Sequence, residues 1–134
     1  MPDRKGGCLC GAVRYTLKSE PRAIALCHCT HCQRLSGSVF SLNLVIREAD
    51  YEQSGETTIY VDSGDSGQPV HRHFCGRCGA PIFARTALSP GKVIVKGGTL
   101  DDLEGLAPKT EIYTEHAVRW LAPVAGTTRF ARNF

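Results

Sequence analysis

Residues 27–32 read Cys27-His28-Cys29-Thr30-His31-Cys32, which places three thiols within six residues of the chain. Their sulfurs can converge on one metal ion with almost no loop to close. Thiolates bind soft or borderline metals, and zinc is the common case, with sulfur at about 2.3 Å from the ion. The pairs in Cys8-Leu9-Cys10 and Cys75-Gly76-Arg77-Cys78 supply the remaining cysteines. Seven cysteines in three tight groups therefore organise the interpretation of this chain.

The number and spacing of the cysteines favour metal ligation over disulfide bonds. Seven is odd, so a disulfide framework would leave one thiol unpaired. A bridge within Cys8-Leu9-Cys10 would also close a very small, strained ring. Metal binding accounts for all seven thiols, whereas reduced free thiols or a redox pair remain the alternative at this point.

The length and composition predict a single domain, residues 1–134. The sequence lacks the run of about 20 apolar residues that a membrane-spanning helix needs. The first residues, Met1-Pro2-Asp3-Arg4-Lys5, do not precede the apolar stretch of a signal peptide. We therefore expect a soluble, cytoplasmic protein, a compartment in which thiols stay reduced.

The formal net charge of +3 is weak support for a nucleic-acid partner. If all seven cysteines were thiolates around two zinc ions, the formal charge would fall to zero. We expect neither a membrane nor a nucleic acid as a partner.

The residue patterns predict a mainly β fold with one short helix. Polar and apolar residues alternate in the first predicted strand, and later segments are rich in β-branched and aromatic residues. Residues 1–6 are expected to be a frayed terminus. The predicted strands are 12–17, 39–46, 57–61, 70–74, 81–84 and 92–96. Residues 111–114 and 118–121 are expected to be short final strands or extended pieces.

The short helix is predicted directly after the second cysteine of the central motif. Thr30-His31-Cys32-Gln33 fits a capping box, with Thr30 as the N-cap and Gln33 at the third helical position. Gly37 is expected to end the helix. An ordinary loop that happens to contain threonine and glutamine is the alternative.

The three cysteine groups suggest two metal sites of different kinds. A structural zinc takes four ligands, and the two pairs, Cys8 with Cys10 and Cys75 with Cys78, supply them. Three thiols then remain, and three protein ligands with an open position are typical of a zinc site that performs chemistry. The remaining thiols are Cys27, Cys29 and Cys32.

A histidine that completes the second site is the main alternative, and a different pairing of the cysteines is also open. His28 is expected to point away from its neighbours' metal, because alternate side chains of an extended segment face opposite ways. His31 is adjacent in the sequence, and His71, His73 or His116 could complete the site by folding back.

A zinc ion on three thiolates would carry a net charge of −1 and be a weaker Lewis acid than zinc on three histidines. It suits a soft, exchangeable fourth ligand, such as a substrate thiolate or an aldehyde or hemithioacetal oxygen. This favours thiol–aldehyde adduct chemistry, although many thiol or carbonyl substrates satisfy the same argument. Arg34 is a candidate contact for a substrate carboxylate, and His31 and His73 are candidate proton carriers. Trp120 is expected in the core or a pocket wall.

The cysteine motifs, in this order, resemble those of the glutathione-dependent formaldehyde-activating (GFA) family. The matching segments are 7–15, 27–37, 74–79 and 98–102, with Ile112-Tyr113 and Trp120 near the end. The resemblance implies a β-tent of antiparallel sheets stapled by zinc. It implies a structural zinc on Cys8, Cys10, Cys75 and Cys78, and a catalytic zinc on Cys27, Cys29 and Cys32. The implied activity is that of a carbon–sulfur lyase acting on formaldehyde and glutathione, or on another thiol with an aldehyde.

A non-catalytic zinc-binding β module that binds a protein or nucleic-acid partner is the competing hypothesis. It requires four protein ligands around every metal. It also predicts that Cys29→Ser harms folding as much as Cys75→Ser does. The enzyme hypothesis predicts instead that Cys29→Ser leaves the fold nearly intact.

Overall fold

The computed structural model describes residues 3–64 and 66–133. Within them the chain forms eleven strands, one α-helix and three short 3-10 turns. The α-helix, α1, spans Thr30–Ser36. The strands are β1 Arg4–Gly7, β2 Arg14–Leu17, β3 Ala23–Cys27, β4 Ser41–Arg47, β5 Tyr51–Ser54, β6 Thr58–Ser63, β7 Pro69–Phe74, β8 Pro81–Thr86, β9 Lys92–Lys96, β10 Thr110–Ile112 and β11 Thr128–Arg129.

The strands form two sheets, which confirms the predicted mainly β fold. The small sheet has three antiparallel strands in the order β1-β2-β5. The large sheet has eight strands in the order β11-β10-β3-β4-β9-β8-β7-β6. It is antiparallel except at β10, which runs parallel to both β3 and β11. The large sheet is therefore mixed.

The core lies where the apolar faces of both sheets meet. Leu44 of β4 and Val95 of β9 are paired neighbours, and both are completely buried. Leu17 of β2 in the small sheet belongs to the same buried cluster. Since side chains alternate along a strand, each sheet directs one face into this core. The turns that carry the cysteines lie at the strand ends around it.

Several strand predictions were wrong at the edges of the sheets. Arg4–Gly7 is a strand rather than part of a frayed terminus, while Met1 and Pro2 lie outside the described residues. The polar strands β5 and β11 gave no strand signal in the sequence. The predicted strand or extended piece 118–121 is instead a turn, in which the Leu121 amide donates to the Val118 carbonyl at 3.4 Å. In these segments, pairing with a neighbour decides the structure, and local propensity does not.

None of the helices in the described part of the chain has the length and hydrophobicity of a transmembrane segment.

Candidate metal centres and cleft

The two cysteine pairs meet between the two sheets. Cys8 and Cys10 lie in the turn between β1 and β2, and Cys75 and Cys78 lie in the turn between β7 and β8. All four sulfurs lie within 4.8 Å of one another. The Sγ–Sγ distances are 3.7 Å from Cys8 to Cys10 and 3.8 Å from Cys10 to Cys75. A zinc ion with sulfurs at about 2.3 Å in a tetrahedron separates them by about 3.8 Å, so this group fits that ion.

Backbone amides surround these sulfurs and favour their anionic form. The Val13 amide donates to Cys8 Sγ at 3.2 Å, and the Arg77 amide donates to Cys75 Sγ at 3.4 Å. Backbone hydrogen bonds from Ala80 and Cys10 lower the pKa of Cys78 to about 6. The thiolate is the metal-binding form of cysteine, so these amides prepare the group for a cation.

The other three cysteines meet at the start of α1. Cys27 ends β3, Cys29 precedes the helix, and Cys32 lies in its first turn. Their sulfurs also lie within 4.8 Å of one another. Hydrogen bonds from the Cys27 and Cys29 thiols lower the pKa of Cys32, whereas contact with Cys29 and Cys32 raises the pKa of Cys27. The trio thus holds one negative charge easily, and three thiolates would require a cation, as a metal site does.

No fourth ligand atom from a His, Cys, Asp or Glu joins this trio within residues 3–64 and 66–133. Among the histidines considered as a fourth ligand, His71 is exposed on β7. His73 stacks on Phe83 with ring centroids 4.1 Å apart. His31 and His116 line the cleft beside the trio. The geometry therefore groups four sulfurs at one place and three at another.

The helix begins one residue earlier than the capping box predicted. Cys29 is the N-cap, and its sulfur accepts a hydrogen bond from the Cys32 amide at 3.3 Å. The Gln33 side chain donates instead to the backbone carbonyls of His28, at 2.9 Å, and His116, at 3.1 Å. The sulfur of Cys29 therefore has the N-cap role that was predicted for the Thr30 hydroxyl. The predicted end is confirmed, since Gly37 has a φ of +66° and caps the helix.

His28 points away from the sulfurs, as the alternation of side chains predicted. Its ring is buried, and Nε2 lies 2.8 Å from Oε1 of Glu111 on β10. Nδ1 is buried and has no hydrogen-bond partner among the described residues. Burial alone would raise the pKa of Glu111, but hydrogen bonds from Thr127, His28 and Arg129 outweigh it and lower that pKa to about 2. Glu111 is therefore a buried carboxylate behind the three-cysteine group.

A cleft of about 250 Å³ opens beside the three cysteines. Its lining combines the sulfurs with basic, polar and aliphatic side chains. The polar side chains include His31, Asn43, Arg72, Lys96 and His116, and the aliphatic ones include Val70, Leu88 and Ile94. The cleft is thus suited to a small molecule with an anionic group.

Asp62 of β6 fixes two of the basic side chains of the cleft. Its Oδ2 lies 2.7 Å from Nδ1 of His31 and accepts from Nε of Arg72 at 2.8 Å. Although burial would raise the pKa of Asp62, these two partners hold it below its usual range. Because a carboxylate accepts, we assign the proton of His31 to Nδ1, which leaves Nε2 as an acceptor.

Lys96 brings a positive charge next to the sulfurs. It donates to Oδ1 of Asn43, its cross-strand partner on β4, at 2.9 Å. Burial lowers the pKa of Lys96, while the thiols of Cys32 and Cys27 oppose this shift. The sequence reasoning missed Lys96, Asp62 and Glu111 because strand register alone brings them to the cysteines. The only local signal was that lysines flank the apolar residues of β9 at both ends.

Arg34 and Trp120, for which the sequence made predictions, lie away from the cleft, as do Arg77 and Phe83. Arg34 is exposed in the last turn of α1 and does not line it. Arg77 is also exposed, and its backbone amide is what contacts a sulfur. The prediction for Trp120 was wrong, because 75% of its surface is exposed. Phe83 lies in the core.

The family model described as "Glutathione-dependent formaldehyde-activating enzyme" matches residues 3–116. The "Putative glutathione-dependent formaldehyde-activating enzyme" of Halomonas elongata is 27% identical over 128 residues, which cover 87% of this chain and 78% of that protein. An uncharacterized lyase of Schizosaccharomyces pombe is 25% identical over 83 residues, 62% of this chain and 58% of the lyase. The crystal structure of a Rhodobacter sphaeroides protein shares the fold with a TM-score of 0.58 and 23% identity, and the match covers 78% of this chain and 91% of the other.

Proposed function

We propose that this chain, which belongs to the glutathione-dependent formaldehyde-activating enzyme family, is a zinc enzyme that forms or cleaves carbon–sulfur bonds in thiol–aldehyde adducts. Glutathione and formaldehyde are the first substrates to test. In this proposal Cys8, Cys10, Cys75 and Cys78 hold a structural zinc. The catalytic zinc is held by Cys27, Cys29 and Cys32.

The observation that carries the proposal is the unequal grouping of the sulfurs. Four of them lie within 4.8 Å of one another between the sheets, whereas three line a cleft without a fourth protein ligand among the described residues. Zinc on three thiolates would supply a soft, exchangeable position for a thiolate or an aldehyde oxygen. This difference supports one structural and one catalytic site.

The side chains of the cleft would bind and orient the substrate. Lys96 and Arg72 place positive charge beside the sulfurs, which favours a thiol that carries carboxylates, as glutathione does. The cleft volume of about 250 Å³ suits the reacting end of such a molecule. The aliphatic wall would exclude water from the aldehyde carbon.

His31 would transfer the proton during the reaction. In the forward direction the thiol sulfur bonds to the aldehyde carbon, the carbon–oxygen π bond breaks, and the proton passes from sulfur to oxygen. The Nε2 atom of His31 would accept this proton and return it, while Asp62 keeps Nδ1 protonated. The reaction consumes no oxidant or reductant.

Metal content and two matched variants test the division of roles. Elemental analysis of the wild-type protein should find two zinc ions per chain. Cys29→Ser should retain one zinc and a native fold, because the serine hydroxyl still caps α1. Cys75→Ser should lower the stability much more. Equal loss of stability in both variants would contradict the proposal and favour the non-catalytic module.

A turnover assay tests the substrates. Exchange between formaldehyde and S-hydroxymethylglutathione should be faster with wild-type protein than the uncatalysed rate, and Cys29→Ser should abolish the acceleration. If the protein with two zinc ions gives no acceleration, glutathione and formaldehyde are not its substrates.

A further inference from the structure

Glu111 is the centre of a buried polar cluster behind the three-cysteine group, and only 2% of its side chain is exposed. Oε1 accepts from His28 Nε2 at 2.8 Å. Oε2 accepts from the Thr127 hydroxyl at 2.7 Å, from the Val124 amide at 3.1 Å and from Arg129 NH1 at 2.7 Å. We call these five residues the Glu111 cluster. One carboxylate thus joins residues 124–129 to the ligand segment 27–29.

The backbone holds Glu111 at a fixed distance from the cysteines. β10 runs parallel to β3, with Glu111 beside Leu26 and Ile112 beside Cys27. The His28 amide donates to the Ile112 carbonyl at 3.0 Å. Both the ring and the backbone of His28 are therefore bound to the same strand.

A fixed His28 ring determines where the neighbouring sulfurs point. His28 lies between Cys27 and Cys29, and successive side chains of an extended segment face opposite ways. When the ring is held on the β10 side, the two cysteines must face the cleft. Outer partners that orient metal ligands in this way commonly change metal affinity about 10–100-fold when they are removed.

We propose that Glu111 is a positioning residue for the metal site of Cys27, Cys29 and Cys32, acting through His28. The inference rests on the proposed function, because it assumes that this trio holds a metal. The family match ends at residue 116, so the three donors to Oε2 come from a segment beyond it. In this chain the C-terminal segment stabilises the orientation of Glu111.

Glu111→Gln is the informative variant. Three donors face the Oε2 position, so the amide oxygen would turn toward them and the amide NH₂ would face His28 Nε2. His28 would then have to move its ring proton to Nδ1, so that Nε2 can accept, or rotate its ring. Thr127→Val is the matched control, since it removes one donor at Oε2 and leaves the bond to His28.

The rate of zinc release to an excess of a chromophoric chelator measures the effect of each variant on the metal site. The kinetic phase of release that is missing in Cys29→Ser is assigned to the three-cysteine site. Glu111→Gln and His28→Phe should each release zinc from this site about 10–100-fold faster. The double variant should be no faster than the faster single variant, because both act on one link. Thr127→Val should stay within about twofold of wild type, since the link persists.

Cobalt in place of zinc gives a second reading of the same site. The absorption band that is lost in Cys29→Ser belongs to the three-cysteine site. This ligand-field band should shift in Glu111→Gln and stay unchanged in Thr127→Val. The contrary result is that Glu111→Gln lowers the stability to urea as Thr127→Val does, yet leaves the zinc release rate and the cobalt spectrum unchanged. That result would overturn the inference and leave the proposed function standing. A wild-type chain that binds only one zinc would overturn both.

Discussion

Gly55, which follows β5, occupies a position that no side chain fits. Its φ is +83°, and a Cβ atom there would lie 2.0 Å from the Ala12 carbonyl oxygen. Gly91 has a similar φ of +73° with open space around it, so it is the matched control. We expect Gly91→Ala to cost about 1–2 kcal/mol of unfolding free energy from the left-handed backbone alone.

Gly55→Ala should cost more, on the order of 3 kcal/mol, because backbone atoms must also move. Urea denaturation of both variants measures the difference. Equal losses would mean that the close approach to Ala12 relaxes without cost.

Tyr15 gives the protein a defined response to alkaline pH. Burial raises the pKa of Tyr15 from 10.0 to about 12, although the hydrogen bond with Thr99 opposes this. The folded state therefore binds more protons than the unfolded state in this window. The contribution of Tyr15 to the free energy of unfolding is fully present below pH 10 and falls by about 3 kcal/mol as the pH rises toward 12. Urea titrations across this range should show the loss in wild type and a shallower one in Tyr15→Phe.

The orientation of His28 could be predicted at the residue scale, and that of Asp62 could not. His28 follows from the alternation of three consecutive residues. Asp62 reaches His31 across 31 positions in the sequence, and Glu111 reaches His28 across 83. Such contacts depend on strand order, which no local pattern encodes.

At the scale of elements, β9 with its buried face was predictable, whereas the polar strands β5 and β11 and the buried strand β3 were not. The predicted strand 92–96 matches β9, which alternates between buried and more exposed residues. β5 has no buried residue, and β11 has two exposed residues. These two segments form strands because a neighbouring strand supplies hydrogen bonds. Their own residues therefore carry no sequence pattern that predicts a strand.

β6 is an edge strand of the large sheet and carries three consecutive exposed apolar residues. An exposed apolar edge promotes pairing with other chains, and lysine is a common protection. The exposed fraction of Val61 is 58%, so Val61→Lys should change the unfolding free energy by only about 0.5 kcal/mol. Light scattering on heating should show less aggregation in Val61→Lys than in wild type or in the control Val61→Ile. Equal aggregation would mean that this edge is not the contact.

At the scale of the whole molecule, several polar contacts join the small sheet to the segment that follows β9. Tyr15 of β2 bonds to Thr99 at 2.7 Å, and Arg14 forms a bidentate pair with Asp101. Gly6 of β1 bridges to Leu100. The long-range pairing of cysteines was predictable from ligand number alone, whereas these supporting contacts required the fold.

Cys10→Ser tests how strongly the four-cysteine group joins the sheets. Its sulfur lies beside Cys75, 65 positions away in the sequence, so the proposed zinc ion would connect distant segments of the folded chain. A zinc ion that binds only the folded chain would stabilise it through its binding free energy, by about 4 kcal/mol when free zinc is about 1,000 times the Kd. That is a large share of the 5–15 kcal/mol that stabilises a typical domain.

Hydrogen exchange should locate the loss, because proteins open in cooperative units. In Cys10→Ser, amides of β1, β2 and β5 should exchange much faster, while β4 and β9 in the centre of the large sheet stay protected longest. In Cys29→Ser, which alters the proposed metal site at one end of α1, faster exchange should be confined to 27–37. If Cys10→Ser exchanges like wild type in the small sheet, the apolar core alone holds the sheets together and the four-cysteine site serves another purpose.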